Sequence, residues 1–354
     1  MAPLPWIQTE PKRVPVIAEI GVNHDGLMDR ATRLIDVAAE AGADAVKFQY
    51  FRSSRLLAHE AELADYQRGT AADAAALLRP LELSLDALAT LLERADRRGL
   101  LGLVTPFSPA DPAELAALPK LAAIKIASPD AVNPLLLDAA VATGKPLLIS
   151  TGACELDELG HAVDAVRRSG GALLQCVSAY PTPAHLASLG GIPALAAYSG
   201  MPAGYSDHTA GHHTGADAVA AGACVLEKHL THDRTAAGPD HAASLDPKGF
   251  AAYVQAVRSA APVSRVPTAE KRCLAIEADV RRVSRQSLAV AHDLPAGHTL
   301  TRSDLTTRRP GTGLPAAGWT RLPGQRLVRP VPAGRLLRAE DFGPAFKPAP
   351  ESGR

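Results

Sequence analysis

Residues 14–49 read VPVIAEIGVNHDGLMDRATRLIDVAAEAGADAVKFQ. Its two ends, VPVIAEI (14–20) and DAVKFQ (44–49), are apolar runs of strand length, and DRATRLIDVAAEAGA (29–43) between them repeats its apolar residues at helical spacing. Asp29 supplies a helix cap and Gly42 a stop. Two apolar strands separated by a helix predict a parallel pair, because a parallel neighbour is reached only through a crossover.

The alternation continues outward from this unit. LLGLVT (100–105), AAIKI (122–126), PLLIS (146–150), ALLQCV (172–177), a short run entering GYSDH near 203–206 and CVLEKH (224–229) bring the strands to eight. Helical stretches such as SLDALATLLERADRRG (84–99) lie between them. Eight strand–helix units over about 250 residues predict an α/β fold, a (β/α)8 TIM barrel, with strands buried on both faces. Residues 50–83 are too long for a plain connection and predict an excursion at the barrel top.

After residue 262 Pro, Ser and charge break the pattern, and a short repeat follows: LPAGHTLTRSDL (294–305) and VPAGRLLRAEDF (331–342). Its Gly, Pro and clipped apolar runs predict a small β-rich domain with a meagre core. The division expected is a barrel over 1–262, a linker over 263–284, the small domain over 285–346 and a frayed tail over 347–354.

Lys+Arg and Asp+Glu both number 37, so no overall field attracts nucleic acid or an anionic membrane, and an anionic ligand needs a local site. Four widely spaced cysteines without a CxxC pair argue against a disulfide framework or structural zinc. With no targeting signal and no run of roughly 18 apolar residues, the reading is a cytoplasmic protein.

In such a barrel the chemistry sits where the strands end, and polar residues are numerous there. Lys47 and Lys125, with Thr105, Ser128, Ser150 and Ser206, would converge on one face and could neutralise a phosphate through charge-assisted hydrogen bonds. His208 and His229 end neighbouring strands and could share one divalent ion in an open site completed by water and substrate oxygens. Glu19, Glu227 and Asp240 are candidates for holding hydroxyls or moving a proton, and Gln49, Ser178 and Tyr180 stand at further strand ends.

The stretches IAEIGVNHDG, AVKFQ, TPF, IKIAS, ISTG, QCVSAYPTP, GYSDHT and EKHLT, followed by RRPGTGL, resemble the sialic acid (N-acetylneuraminate) synthase family, which includes legionaminic and pseudaminic acid synthases and spore-coat polysaccharide relatives. The resemblance covers nearly the whole chain and implies a C-terminal antifreeze-like (SAF) domain. It implies a transferase that condenses phosphoenolpyruvate with an amino-sugar aldehyde and water, releasing phosphate with C–O cleavage. Phosphoenolpyruvate would be held by the residues at Lys47, Thr105, Lys125, Ser128, Ser150, Ser178 and Ser206, and Mn2+ or Mg2+ by His208 and His229. Glu19, Gln49, Tyr180, Glu227 and Asp240 would surround the sugar and the reacting centre. In a domain-swapped homodimer the small domain would bring Arg309 to the sugar. The chain departs from the family in having Lys125-Ile126-Ala127-Ser128-Pro129-Asp130 for Lys-Ile-Gly-Ser-Gly-Glu and Ser178 for a common Asn, which leaves the acceptor sugar open. Two rivals remain: a class I aldolase using Lys47, Lys125 or Lys228 as a Schiff base, and a non-catalytic sugar-binding module.

Overall fold

A computed structural model describes residues 13–68, 72–261, 267–344 and 346–347. The N-terminal stretch read for a targeting signal, and all of the expected frayed tail but Lys347, lie outside the described residues. No helix among those described is long and apolar enough to cross a membrane.

Eight parallel strands close into a barrel in sequence order. They are β1 (Val16–Gly21), β2 (Ala45–Tyr50), β3 (Leu101–Pro106), β4 (Leu121–Ile126), β5 (Leu147–Ser150), β6 (Ala172–Cys176), β7 (Ala203–Asp207) and β8 (Leu226–His229). A helix follows each: α1 (Met28–Glu40), α2 (Leu85–Arg97), α3 (Asp111–Ala116), α4 (Pro134–Ala142), α5 (Gly160–Ser169), α6 (Gly191–Ser199), α7 (Thr214–Ala220) and α8 (Pro247–Ser259). Ser84, Asn133 and Asp246 cap α2, α4 and α8 by accepting backbone N–H bonds. Asp29 does not cap α1: the helix begins one residue earlier behind Leu27, and Asp29 lies in its first turn, where its charge still suits the helix dipole. Gly42, at φ +81°, follows the end of α1.

The barrel interior is layered. Ile17, Ala45, Leu103, Ala123, Leu148, Ala172, Leu174, Cys224 and Val225 fill its lower part as one apolar cluster. Side chains alternate along a strand, so two residues further on the same inner face emerge Glu19, Lys47, Thr105, Lys125, Ser150 and Glu227. The intervening residues, among them Ala18, Val46, Val104, Ile124 and Ile149, point outward into the main core with Leu34, Ile35, Leu91 and Leu136. The same alternation turns Lys228 away from the mouth, onto Asp207 at 3.2 Å and the Thr209 carbonyl.

The excursion after β2 carries two short helical turns, Ser53–Leu56 and Ala74–Leu78. A further helix, α9 (Ala278–Ser284), leads into the small domain, whose β9 (Ser287–Val290) and β10 (Leu305–Arg308) pair antiparallel. The repeat has a structural meaning. Each copy turns at a glycine with positive φ, Gly297 or Gly334, and closes on a buried aspartate, Asp304 or Asp341, that accepts the N–H three residues before it. The copies meet at Leu294 and Val331, which exchange two 2.9 Å backbone hydrogen bonds.

This domain docks over the barrel mouth through buried polar contacts. Gln286 Nε2 donates to Asp130 Oδ1 at 2.9 Å and to the Phe107 carbonyl, Thr307 Oγ1 donates to Gln286 Oε1, and Asn133 Nδ2 donates to Thr307 Oγ1 at 3.0 Å. The Arg309 backbone bonds to Leu56 and Ala58 of the excursion.

Burial pushes the Asp130 carboxyl up to about 7, against the pull of Arg309; Asn133, Gln286 and Asp111 also face it. The folded chain therefore keeps a proton that the unfolded chain releases above its ordinary carboxylate range. The stability from this group is full below about pH 4 and is lost as pH rises through about 7. Asp130→Asn cannot titrate, so its melting temperature should fall less steeply than that of the unsubstituted chain between those two pH values; equal slopes would assign the titration to other groups.

Candidate active site

The strand ends surround a solvent-open cleft of about 870 Å³. Of the residues read from the sequence, Glu19, Lys47, Gln49, Thr105, Lys125, Ser128, Ser150, Tyr180, Ser206, His208, Glu227, His229, Asp240 and Arg309 all line it. Ser178 does not. It lies buried behind Gly152, where a Cβ would stand 2.3 Å from the Ser178 hydroxyl oxygen. Asp130 also faces away from the cleft, toward Gln286.

The charges inside form two coupled pairs. Lys47 Nζ pairs with Glu19 and donates to Thr105 Oγ1 at 2.8 Å. Lys125 Nζ donates to Ser150 Oγ at 2.6 Å and lies 3.6 Å from Glu227, which accepts from Ser206 Oγ at 2.8 Å. Both lysines are almost wholly buried, so each ammonium must have its charge answered nearby.

Their surroundings drive the carboxylates apart. Burial raises Glu19 to about 7 despite Lys47, with the Glu227 charge adding to the rise. Burial works on Glu227 too, but the attraction of Lys125 and Lys47 outweighs it and holds this group below its ordinary value. One carboxylate is thus poised to carry a proton near neutrality while the other stays ionised, the division needed for acid–base chemistry. Burial lowers Lys125 and raises Asp240.

The imidazoles of His208 and His229 lie with ring centroids 5.5 Å apart, and the Tyr180 ring packs 4.2 Å from that of His208. His208 Nδ1 lies 2.9 Å from the Val177 carbonyl, which can only accept, so Nδ1 carries a hydrogen; burial opposes the charged form, but Cys176, with Sγ 3.5 Å from the same nitrogen, and that carbonyl push the imidazole up to about 9, so Nε2 offers a lone pair only after giving up a proton. His229 Nδ1 is buried without a hydrogen bond, 3.8 Å from Asp240 Oδ2. Burial and neighbouring positive charge keep His229 well below its ordinary range, hence neutral. The two imidazoles on adjacent strands could hold a divalent ion, whose binding would displace the extra proton of His208. No group of three or more His, Cys, Asp or Glu able to hold a metal occurs among the described residues.

Arg309 reaches the cleft of its own chain, its guanidinium 5.4 Å from the Phe107 ring centroid and its Nε buried without a partner. Sequence reading missed other parts of the wall. Val280 and Ser284 of α9 line the cleft although their segment reads as a linker, Gln67 and Leu78 enter from helical turns of the excursion after β2, and Pro239 enters from the loop after β8. Only the apolar spacing of Val280 and Val283 marks α9 as a packed helix.

Comparison with known proteins bears on the family and the fold. The NeuB family model matches residues 34–265 and the SAF domain model residues 285–343. The chain is 36% identical over 332 residues to the N,N'-diacetyllegionaminic acid synthase of Legionella pneumophila, spanning 91% of this chain and 92% of that one. It is 30% identical to the pseudaminic acid synthase of Helicobacter pylori, spanning 92% and 97%. Among solved structures, a spore coat polysaccharide biosynthesis protein of Bacillus subtilis superposes with a TM-score of 0.77 at 28% identity, covering 94% of this chain and 96% of that one. The chain belongs to the NeuB family of sialic acid synthase-type enzymes and carries a C-terminal SAF domain.

Proposed function

We propose that the enzyme condenses phosphoenolpyruvate with an N-acylated amino-sugar aldehyde, N-acetylmannosamine or a related hexose, and water, giving a nonulosonic acid and phosphate. The observation that carries this reading is the meeting in one barrel mouth of two buried lysines with hydroxyl partners, two imidazoles and a pair of carboxylates with opposed proton affinities. The relatives named legionaminic and pseudaminic acid synthases support it.

Lys47, Lys125, Thr105, Ser128, Ser150 and Ser206 would bind the phosphate of phosphoenolpyruvate. Gln49, Tyr180, Asp240 and Arg309 would hold the sugar. The C3 carbon of phosphoenolpyruvate attacks the aldehyde carbon, the aldehyde oxygen takes a proton, water adds to C2, and the C2–O bond breaks to release phosphate. Glu19, protonated in part near neutrality, is positioned to give a proton, and ionised Glu227 to direct or accept one. Manganese or magnesium held by His208 and His229 would supply Lewis-acid polarisation of the aldehyde. The small domain over the mouth limits water access. All four cysteines are free, which fits a reducing cytoplasm.

A Schiff-base aldolase is disfavoured by the two inward lysines, each already tied to a carboxylate and a hydroxyl, and by the outward orientation of Lys228.

Phosphate release from phosphoenolpyruvate with manganese, across N-acetylmannosamine, its 6-phosphate and dideoxy-diamino hexoses, tests the reading. Release should depend on one sugar and on the metal, and Lys125→Ala or His208→Ala should lower kcat/KM by roughly a hundredfold or more. Borohydride trapping of pyruvate on a lysine, with no need for metal, would overturn the condensation in favour of the aldolase.

We also propose a homodimer whose small domains are exchanged, the contacts of Arg309 being the same on a partner's barrel. Lys125→Ala and Arg309→Ala chains, each inactive alone, should then regain about a quarter of full activity after joint refolding, because random pairing makes half the dimers mixed and each holds one intact site. No recovery would mean that each barrel uses its own small domain.

A further inference from the structure

The turn that ends β5 is held from outside the barrel. Ala153 stands at φ +54°, a left-handed conformation that a non-glycine residue keeps only where its surroundings impose it. Its N–H donates to Glu277 Oε1 at 2.6 Å, and its carbonyl accepts from Arg281 Nη1 at 2.9 Å and Arg285 Nη2 at 2.8 Å. Both arginines also pair with the buried Glu158 carboxylate. Lys271 adds a 2.7 Å bond to the Cys154 carbonyl. Glu277 itself is fully buried, and the same Oε1 accepts the N–H of Ser178, just past β6, at 2.6 Å. Its Oε2 accepts the Leu274 N–H at 2.8 Å.

On the inner side of this turn is the proposed anion pocket. The Gly152 N–H donates to Ser128 Oγ at 3.0 Å, and a Cβ at Gly152 would stand 3.0 Å from that oxygen as well as 2.3 Å from Ser178 Oγ. Ser128, Gly152 and Ser178 therefore pack without slack, next to Ser150 and Lys125. A shift of the Ala153 peptide must move that wall.

We infer that Glu277 is a positioning residue for phosphoenolpyruvate: it ties the ends of β5 and β6 together and holds Ala153 in its left-handed conformation, so that the segment joining the two domains sets the shape of the anion pocket. Three backbone N–H groups satisfy its carboxylate, which keeps this negative charge behind the wall from competing for the pocket's cations. The inference rests on the phosphate-binding reading above.

The test uses the full-length chain with Glu277→Ala, Glu277→Gln and Glu277→Ala combined with Ala153→Gly. Amide hydrogen exchange, read without substrate, should rise in residues 147–160 and 172–180 of Glu277→Ala and stay unchanged elsewhere. The KM for phosphoenolpyruvate should rise roughly tenfold or more while the KM for the sugar holds, since displacement of a binding wall by about an ångström is enough for such losses. Ala153→Gly, which adopts positive φ without strain, should bring part of that KM back. If Glu277→Ala does not fold, Glu277→Gln decides: it keeps an acceptor for Ala153 and Ser178 and loses only the one for Leu274, so local exchange and the KM for phosphoenolpyruvate should stay near those of the unsubstituted chain, and a roughly tenfold rise in that KM would overturn the inference. Exchange that rises everywhere, or a KM for phosphoenolpyruvate that stays put in an active Glu277→Ala chain, overturns the inference. Absence of turnover in the unsubstituted chain would overturn the proposed function instead, and local exchange would still decide whether Glu277 clamps the turn.

Discussion

The structure depends on the closure of eight parallel strands into a barrel, because closure makes every inward side chain share one small interior. With a side-chain period of two, each strand has only a few inward positions. The lower ones are apolar and form a plug of Ile17, Leu103, Leu148, Leu174 and Val225. The next ones up are Glu19, Thr105, Ser150 and Glu227, so the polar layer rests on a rigid apolar floor. Shifting one strand by a single residue would turn its apolar face inward at the mouth and its charged group into the helix layer.

Placing two lysines and two carboxylates in that layer takes four charges out of water, and such pairs are stabilised only when their remaining hydrogen-bonding capacity is met. Thr105, Ser150 and Ser206 provide part of it. Glu19 and Glu227 stand in the same cavity yet are driven in opposite directions: burial is the largest influence on both, and it prevails at Glu19 but is outweighed at Glu227 by Lys125, Lys47, Ser206 and His208 together. With each lysine answered by a carboxylate the empty pocket is close to neutral, so an anion would be held there by the lysine and hydroxyl hydrogen bonds and by protonation of Glu19, not by the net charge of the chain.

The second domain is small; among the described residues its core includes Leu288, Val290, Leu300 and Leu337, and Leu135 of the barrel joins that core. A domain of this size gains from burying a face against a larger neighbour. Docking also serves the site: the Asp130, Gln286, Thr307 and Asn133 contacts fix the strand that ends in Arg308, and Arg309 follows directly into the cleft. Asp130 thus bears on how the small domain sits.

Strand and helix order, barrel closure and the cleft residues from Glu19 to His229 were legible in the chain alone, because hydrophobic period is a local property and the strand-end rule converts it into a site. Asp29 was misplaced as a cap because a helix boundary depends on backbone angles that composition does not encode. The fates of Ser178 and Asp130, the cleft-lining role of α9 and the buried Glu277 were decided only by tertiary structure. Their contacts join residues far apart in the chain, as in Ser178 with Glu277 or Asn133 with Thr307. Local pattern reports which face of an element is apolar; which distant peptide N–H a buried carboxylate will meet is settled by packing alone.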